Sequence, residues 1–133
     1  MDNLYIFASQ NMSKHLTILV VEDEEIMLTA LEFRMRKHGF NVVLARDGQQ
    51  AINYLASNTP DAIVTDMMMP NVDGVTLIAA LRAIDPDVRI AVASGVNTPN
   101  LVSDARRLGA EHWLAKPYTA ETLLVTLREL LAD

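Results

Sequence analysis

The chain has 133 residues, half of them hydrophobic, which is enough to build the core of one domain. Its formal net charge of −6 gives no general attraction to nucleic acid or to an anionic membrane surface, and no apolar run approaches the length of a membrane span. The absence of cysteine excludes disulfides, thiol nucleophiles and thiolate metal sites, and it is consistent with a reducing compartment such as the cytoplasm.

Residues 1–15 show no clear period and carry no basic cluster of the kind that opens a secretory signal. They are predicted to form a flexible N-terminal extension before a single domain at 16–133, with a short docking segment for a partner as the alternative. The first strand is predicted at 17–21, where unbroken hydrophobicity indicates burial on both faces. It ends at four consecutive acids, 22–25, and a helix with Gly39 as its C-cap follows.

Four further strand–helix units are predicted along the rest of the chain. Their strands are expected at 41–45, 62–66, 88–93 and 112–115. Asp47 is expected to cap the second helix and Thr119 the last. Because strands alternate with helices over short links, the sequence predicts an α/β fold with a parallel sheet covered by helices on both faces.

Asp66 stands at the end of the third predicted strand, and Pro70 and Gly74 then mark a loop. In open α/β sheets, ligands and chemistry gather beyond the carboxyl ends of the strands. A lone aspartate more often caps a helix or a turn. Asp66 by itself therefore does not indicate a functional site.

Polar side chains end four of the five predicted strands. Glu22 and Asp23 follow the first, Asp66 the third, Ser94 the fourth and Lys116 the fifth. Each alone fits a helix start, a turn or a solvated surface, but five at one edge of a sheet are difficult to attribute to coincidence. Two carboxylates about 4 Å apart repel by about 4 kcal/mol at an effective dielectric constant near 20, and a divalent cation relieves this repulsion. An all-oxygen, partly hydrated site suits Mg²⁺.

Lys116 is expected to be an exposed cation that binds phosphate as a point charge, and Ser94 supplies a hydroxyl donor. A metal ion, an ammonium group and a hydroxyl around an exposed carboxylate are the parts needed to transfer a phosphoryl group to it. The sequence therefore favours phosphoryl transfer to Asp66.

The chain resembles the receiver domains of response regulators in two-component signalling, from about Leu16 to its C-terminus. The motifs that carry the resemblance are Val21-Glu22-Asp23-Glu24, Asp66 with Pro70 and Gly74 downstream, Ala93-Ser94-Gly95 and Lys116-Pro117-Tyr118. The resemblance implies a flavodoxin-like three-layer sandwich around a doubly wound, five-stranded parallel sheet of order 2-1-3-4-5.

The resemblance also implies a phosphoacceptor site. Asp66 would accept a phosphoryl group from the phosphohistidine of a sensor histidine kinase or a phosphotransfer protein. Mg²⁺ would be held by Glu22, Asp23, Asp66 and the main-chain carbonyl of Met68. The domain would catalyse its own phosphorylation and dephosphorylation only, and would otherwise not be an enzyme.

Lys116 and Ser94 would bind the phosphoryl group, and Ser94 with Trp113 would switch the surface around the fourth helix and the fifth strand. Trp113 stands where the family more often has tyrosine or phenylalanine. The output would pass to an unknown downstream effector, without direct binding of nucleic acid or membrane, and a homodimer is possible. The domain would be cytoplasmic, either standing alone or as part of a longer regulator.

Three other functions fit parts of this pattern. A phosphatase of the haloacid-dehalogenase type also uses an aspartate nucleophile and Mg²⁺, but it requires a second aspartate where this chain has Met68. A nucleotide or flavin binder would need a Gly- or hydroxyl-rich first turn in place of the acids at 22–25. A degenerate receiver that binds partners without phosphorylation is the alternative, against which the complete set of acidic and basic residues argues.

Overall fold

A computed structural model of the protein describes residues 16–67, 74–95, 99–110 and 112–132. The predicted extension at 1–15 lies outside the described residues. Strands and helices alternate as the sequence predicts. The elements are β1 (Thr17–Val21), α1 (Glu25–Lys37), β2 (Asn41–Ala45), α2 (Gly48–Leu55), β3 (Ala62–Asp66), α3 (Gly74–Ile84), β4 (Arg89–Ser94), α4 (Pro99–Arg107), β5 (His112–Ala115) and α5 (Ala120–Leu131).

The strands form one five-stranded sheet of order β2-β1-β3-β4-β5, in which every neighbouring pair is parallel. This topology confirms the predicted strand order and fold class. In the register of the sheet, Asp66 lies opposite Ala93, and Ser94 lies opposite Ala115. The carboxyl ends of β3, β4 and β5 therefore meet at one edge.

Strand β4 begins and ends one residue later than the sequence predicts. The Val88 N–H donates to the carbonyl oxygen of Asp85 at 3.4 Å, so it closes a turn, and the pairing with β3 starts at Arg89. At the other end the strand includes Ser94. Ser94 is consequently held in the ladder and does not belong to the following loop.

The sheet is the middle of three layers because the side chains of its strands alternate between two apolar clusters. Ile18 and Val20 of β1 face the cluster formed with α1 and α5. Leu19 and Val21 face the cluster formed with α2, α3 and α4. A strand buried on both faces needs apolar residues at every position, which explains the unbroken hydrophobic run at its sequence.

Local signals at the helix ends also act as predicted. The Asp47 side chain accepts a hydrogen bond from the Gln50 N–H at 2.8 Å, and the Thr119 hydroxyl accepts one from the Thr122 N–H at 3.1 Å. Gly39 follows α1 with a φ of 88°, a left-handed conformation that glycine adopts without a steric penalty. None of the helices described is both long enough and apolar enough to cross a bilayer.

Candidate functional site

The candidate site lies at the carboxyl edge of the sheet, where β1, β3 and β5 end. Asp66 is the last residue of β3 and is only 5% exposed, and Glu22, directly after β1, is only 2% exposed. The expectation that Asp66 is an exposed carboxylate is therefore wrong. Its strand stays in the ladder as far as Asp66 itself, so the carboxylate is enclosed by the neighbouring strand ends.

Lys116 joins these two buried carboxylates. Its Nζ donates to Glu22 Oε1 at 2.5 Å and to Asp66 Oδ2 at 2.7 Å. The side chain is only 15% exposed, so the prediction of an exposed strand-end cation is also wrong. The Lys116 N–H donates to the Ser94 carbonyl oxygen at 3.0 Å, which keeps the residue in register with β4 and at the site. The Lys116-Pro117 peptide bond that follows is cis.

The acidic turn after β1 is shaped around the Glu22 carboxylate. Glu22 Oε2 accepts hydrogen bonds from the backbone N–H groups of Asp23 at 2.9 Å and Glu24 at 3.2 Å. The Glu22 N–H donates to the Ala45 carbonyl oxygen at 2.9 Å and thereby extends the pairing of β1 with β2. The side chain is thus fixed by the turn on one carboxylate oxygen and by Lys116 on the other.

Burial and charge act against each other at this ion pair. Burial raises the pKa of Glu22 above its ordinary value, although the hydrogen bond from Lys116 opposes that change. Burial lowers the pKa of Lys116, but the hydrogen bonds and charges of Asp66 and Glu22 outweigh it, so its pKa is raised. The lysine therefore stays charged and balances part of the negative charge at the site.

The carboxylates of Glu22, Asp23 and Asp66 could together hold a metal ion. Oxygen atoms from the three groups lie within 4.8 Å of one another, and Asp23 is exposed whereas the other two are buried. One ammonium group cannot neutralise three carboxylates, and hard oxygen donors favour Mg²⁺ or Ca²⁺. The donor set therefore fits a hard divalent cation. Met68, whose main-chain carbonyl is the fourth predicted ligand, lies outside the described residues.

Ser94 and Trp113 occupy different parts of the fold. Ser94 is fully buried at the end of β4. Trp113 pairs with Val92 in the sheet. Its side chain is partly buried and packs against the apolar cluster formed with α2, α3 and α4. The sequence places both near the site edge, and their roles as switch residues stay predictions.

Tyr118 also belongs to the surroundings of the site, although the sequence indicated it only as the end of the Lys116-Pro117-Tyr118 motif. Its ring packs against the apolar cluster formed with α1 and α5. Burial, with the negative charge of Glu22 adding to it, raises the pKa of Tyr118 to about 12. The phenol is therefore neutral at physiological pH.

A cavity of about 380 Å³ opens at the opposite, amino edge of the sheet, with Arg82, Arg89 and His112 among its lining residues. None of the predicted site residues that the structure describes lines it. The carboxyl-edge site is thus distinguished by its chemistry and not by the size of its cavity.

Comparison with known proteins agrees with this geometry. The sequence pattern of the response regulator receiver domain matches residues 18–128. The transcriptional regulatory protein PrrA of Mycobacterium tuberculosis is 39% identical over 114 residues, which make up 86% of this chain and 49% of PrrA. The response regulator MprA of Mycolicibacterium vanbaalenii is 36% identical over 114 residues, with coverage of 86% and 49%. The chain spans about half the length of these curated relatives.

Solved structures show the same fold. The chemotaxis protein CheY4 of Vibrio cholerae superposes with a TM-score of 0.82 at 27% identity, over 87% of this chain and 98% of CheY4. A response regulator of Burkholderia pseudomallei, solved with a phosphorylated aspartic acid, a calcium ion and citrate, gives 0.78 at 29% identity over 84% of this chain and 66% of its own. The chain therefore belongs to the response regulator receiver domain family of two-component phosphorelay signalling.

Proposed function

We propose that Asp66 is the phosphoacceptor of this receiver domain and that a phosphohistidine of a sensor histidine kinase or a phosphotransfer protein supplies the phosphoryl group. The observation that carries the proposal is the position of Lys116 Nζ, which binds Glu22 Oε1 at 2.5 Å and Asp66 Oδ2 at 2.7 Å. The phosphorylated aspartic acid of the Burkholderia pseudomallei regulator supports it by analogy.

The reaction is a displacement at phosphorus. A carboxylate oxygen of Asp66 forms the new P–O bond while the P–N bond of the phosphohistidine breaks, and the released imidazole takes a proton from solvent. The product is an acyl phosphate. Because such a transition state is loose and its charge is spread over the phosphoryl oxygens, catalysis depends on positioning and on electrostatic stabilisation.

Lys116 contributes to both positioning and electrostatic stabilisation. An ammonium group has three donors: two of them hold Glu22 and Asp66, and the third would bind a phosphoryl oxygen. The same cation keeps the Asp66 carboxylate in one orientation before the donor arrives. Buried charge pairs of this kind act at short range in a site with little water, where electrostatic interactions are stronger than in bulk solvent.

Glu22, Asp23, Asp66 and the main-chain carbonyl of Met68 would hold Mg²⁺. When bound, the ion would offset the negative charge of the phosphoryl oxygens. Exposure of Asp23 beside two buried carboxylates leaves the outer side of the cluster open to water and to the incoming donor. Glu22 and Asp66, which are buried, would orient the site, and Asp23 would supply the third negative charge that binds the ion.

The output would arise from the surface around α4 and β5. The Ser94 hydroxyl would bind the phosphoryl group, and Trp113 would respond to the resulting change in packing. The downstream effector receives this signal by protein contact, and the domain catalyses only its own phosphorylation and dephosphorylation. PrrA is a transcriptional regulatory protein, so an effector that controls transcription is one form this output could take.

Intact-mass spectrometry after incubation with acetyl phosphate and Mg²⁺ tests the assignment. The wild-type protein should gain one phosphoryl group, and Asp66→Asn should gain none. Asp87→Asn, which removes an exposed carboxylate lining the amino-edge cavity, is the matched control and should be labelled like the wild type. Undiminished labelling of Asp66→Asn would refute the proposal, and an unlabelled wild type would favour a degenerate receiver.

A further inference from the structure

Four polar or charged residues are buried in the part of the chain that the structure describes, namely Glu22, Thr65, Asp66 and Ser94. Three of them are candidate site residues at the carboxyl edge of the sheet. Thr65, the residue directly before Asp66, is fully buried and has no part in the phosphoryl transfer described for the other three. A buried hydroxyl costs free energy unless it is hydrogen-bonded, so its partner indicates what it does.

The surroundings of Thr65 in the sheet are apolar. It lies between Val21 of β1 and Val92 of β4, and both valines belong to the cluster formed with α2, α3 and α4. Side chains at paired positions of neighbouring strands lie on the same face of the sheet, so Thr65 faces this cluster as well. Valine has the same branched shape and would fill the position without a polar atom. Packing by itself therefore does not require the hydroxyl.

The Thr65 hydroxyl binds the main chain of the proposed phosphoacceptor. Its Oγ1 donates to the Asp66 carbonyl oxygen at 3.1 Å. The N–H of the same peptide group belongs to Met67 and donates to the Ala93 carbonyl oxygen at 3.2 Å. The peptide group that joins Asp66 to Met67 is thus held through its carbonyl oxygen by Thr65 and through its N–H by β4.

This peptide group lies where β3 leaves one of its neighbours. The pairing of β3 with β1 ends at Thr65, opposite Val21, whereas the pairing with β4 continues to Asp66, opposite Ala93. The ladder with β1 therefore stops one residue before the phosphoacceptor. The Thr65 hydroxyl adds a hydrogen bond to the main chain at the point where that ladder ends.

We infer that Thr65 is a positioning residue for phosphoryl transfer, whose hydroxyl fixes the peptide group between Asp66 and Met67. This inference rests on the proposed function. A fixed peptide group keeps the Asp66 carboxylate in the orientation that Lys116 binds and that attack on phosphorus needs, and small displacements of an attacking group reduce the rate. One hydrogen bond of this kind changes an equilibrium or rate constant by about two- to twelvefold. Loss of the hydroxyl should slow phosphorylation by about this factor.

Three substitutions at position 65 separate the hydroxyl from the volume of the side chain. Thr65→Ser keeps the hydroxyl and loses the methyl group, Thr65→Val replaces the hydroxyl by a methyl group, and Thr65→Ala loses both. The rate of labelling by acetyl phosphate and Mg²⁺, followed by intact-mass spectrometry, should stay near the wild-type value in Thr65→Ser. It should fall about two- to twelvefold in Thr65→Val and Thr65→Ala.

Stability should follow the volume of the side chain instead. The midpoint of urea unfolding should be lower in Thr65→Ser and Thr65→Ala than in Thr65→Val, because the smaller side chains leave a cavity beside the apolar cluster. Rate and stability should therefore rank the variants in different orders. Serine and alanine differ only by the hydroxyl, so their comparison decides the question even if the valine variant does not fold.

The Met67 amide gives a readout that does not depend on phosphorylation. Its hydrogen exchange, measured by NMR, should be faster in Thr65→Ala than in Thr65→Ser, because the peptide group that donates to Ala93 is then held on one side less firmly. The Asn41 amide donates to the Leu16 carbonyl oxygen at 2.9 Å, away from the site. Its exchange should be alike in the two variants.

Thr126→Val is the matched control for the labelling rate. The Thr126 hydroxyl also donates to a backbone carbonyl oxygen, that of Thr122 at 3.0 Å, but it lies on α5, and its loss should leave the rate unchanged. Equal rates in Thr65→Ser and Thr65→Ala would overturn the inference, as would rates that follow stability or equal exchange of the Met67 amide. An unlabelled wild type is a separate readout, and it would overturn the proposed function together with this role of Thr65.

Discussion

Replacement of Lys116 by methionine perturbs the site most directly. Methionine keeps an unbranched apolar stem of similar length but removes the ammonium group that binds Glu22 and Asp66, which are 2% and 7% exposed as side chains. Removing one partner of a buried ion pair commonly costs about 3–5 kcal/mol, since the remaining charge is left without compensation. We therefore expect Lys116→Met to fold but to be markedly less stable than the wild type.

Protonation of Glu22 sets an upper limit on the free energy of unfolding that Lys116→Met loses. One proton taken up by Glu22 restores the net charge that the site has with lysine present, and the ordinary pKa of this group is 4.5. Because pH 7 lies about 2.5 units above this pKa and each unit costs about 1.36 kcal/mol, keeping Glu22 protonated at pH 7 costs about 3.4 kcal/mol. At pH 5.5 the same limit is about 1.4 kcal/mol. The loss in the free energy of unfolding should therefore be about 3–3.4 kcal/mol at pH 7 and shrink by about half or more at pH 5.5.

Urea unfolding followed by far-UV circular dichroism, at both pH values and in EDTA, measures this difference, with an unchanged m-value as the check on two-state behaviour. Lys37→Met is the matched control. Lys37 is exposed and lies 5.1 Å from the Phe33 ring centroid, so its loss should cost less than about 1 kcal/mol and should not depend on pH. Mg²⁺ should recover part of the stability of Lys116→Met by supplying the missing positive charge. A loss that is equal at both pH values and insensitive to Mg²⁺ would refute the electrostatic reasoning and assign Lys116 a packing role.

Three further outcomes follow from the same geometry. Asp23→Asn should raise the free energy of unfolding in EDTA by about 1 kcal/mol, since two charges no farther apart than 4.8 Å repel by about 0.9 kcal/mol or more in water, and it should remove the stabilisation by Mg²⁺; a wild-type response to Mg²⁺ in a denaturant titration would contradict this. Trp113, the single tryptophan, should change its emission on addition of beryllofluoride and Mg²⁺, whereas unchanged emission and quencher access at saturation would leave it a packing residue. Because burial raises the pKa of Glu22, its contribution to stability is fully present below the ordinary value of 4.5 and is lost as the pH rises through the higher folded value. The stability of the wild type relative to Glu22→Gln should therefore fall as the pH rises from 4.5, and a constant difference across urea titrations would show that Glu22 does not titrate in this way.

The architecture of the protein could be predicted because it follows from local patterns. The unbroken apolar run 17–21, the cap at Asp47 and the glycine at position 39 each specify the backbone within a few residues. Short links between alternating strands and helices then leave a parallel sheet with right-handed crossovers as the favoured arrangement. The residues at the carboxyl ends of the strands were identifiable for the same reason, since parallel strands end at a common edge.

The environment of those residues could not be predicted in the same way. Lys116 binds Glu22 across 94 positions of sequence and Asp66 across 50, and Arg82 reaches Leu108 and Gly109 across 26 and 27. No local pattern distinguishes a lysine that crosses a sheet edge from one that extends into water. Burial arises from close packing of several distant segments, so it was the tertiary structure that decided that Asp66 and Lys116 are enclosed and that one arginine of α3 holds the end of α4.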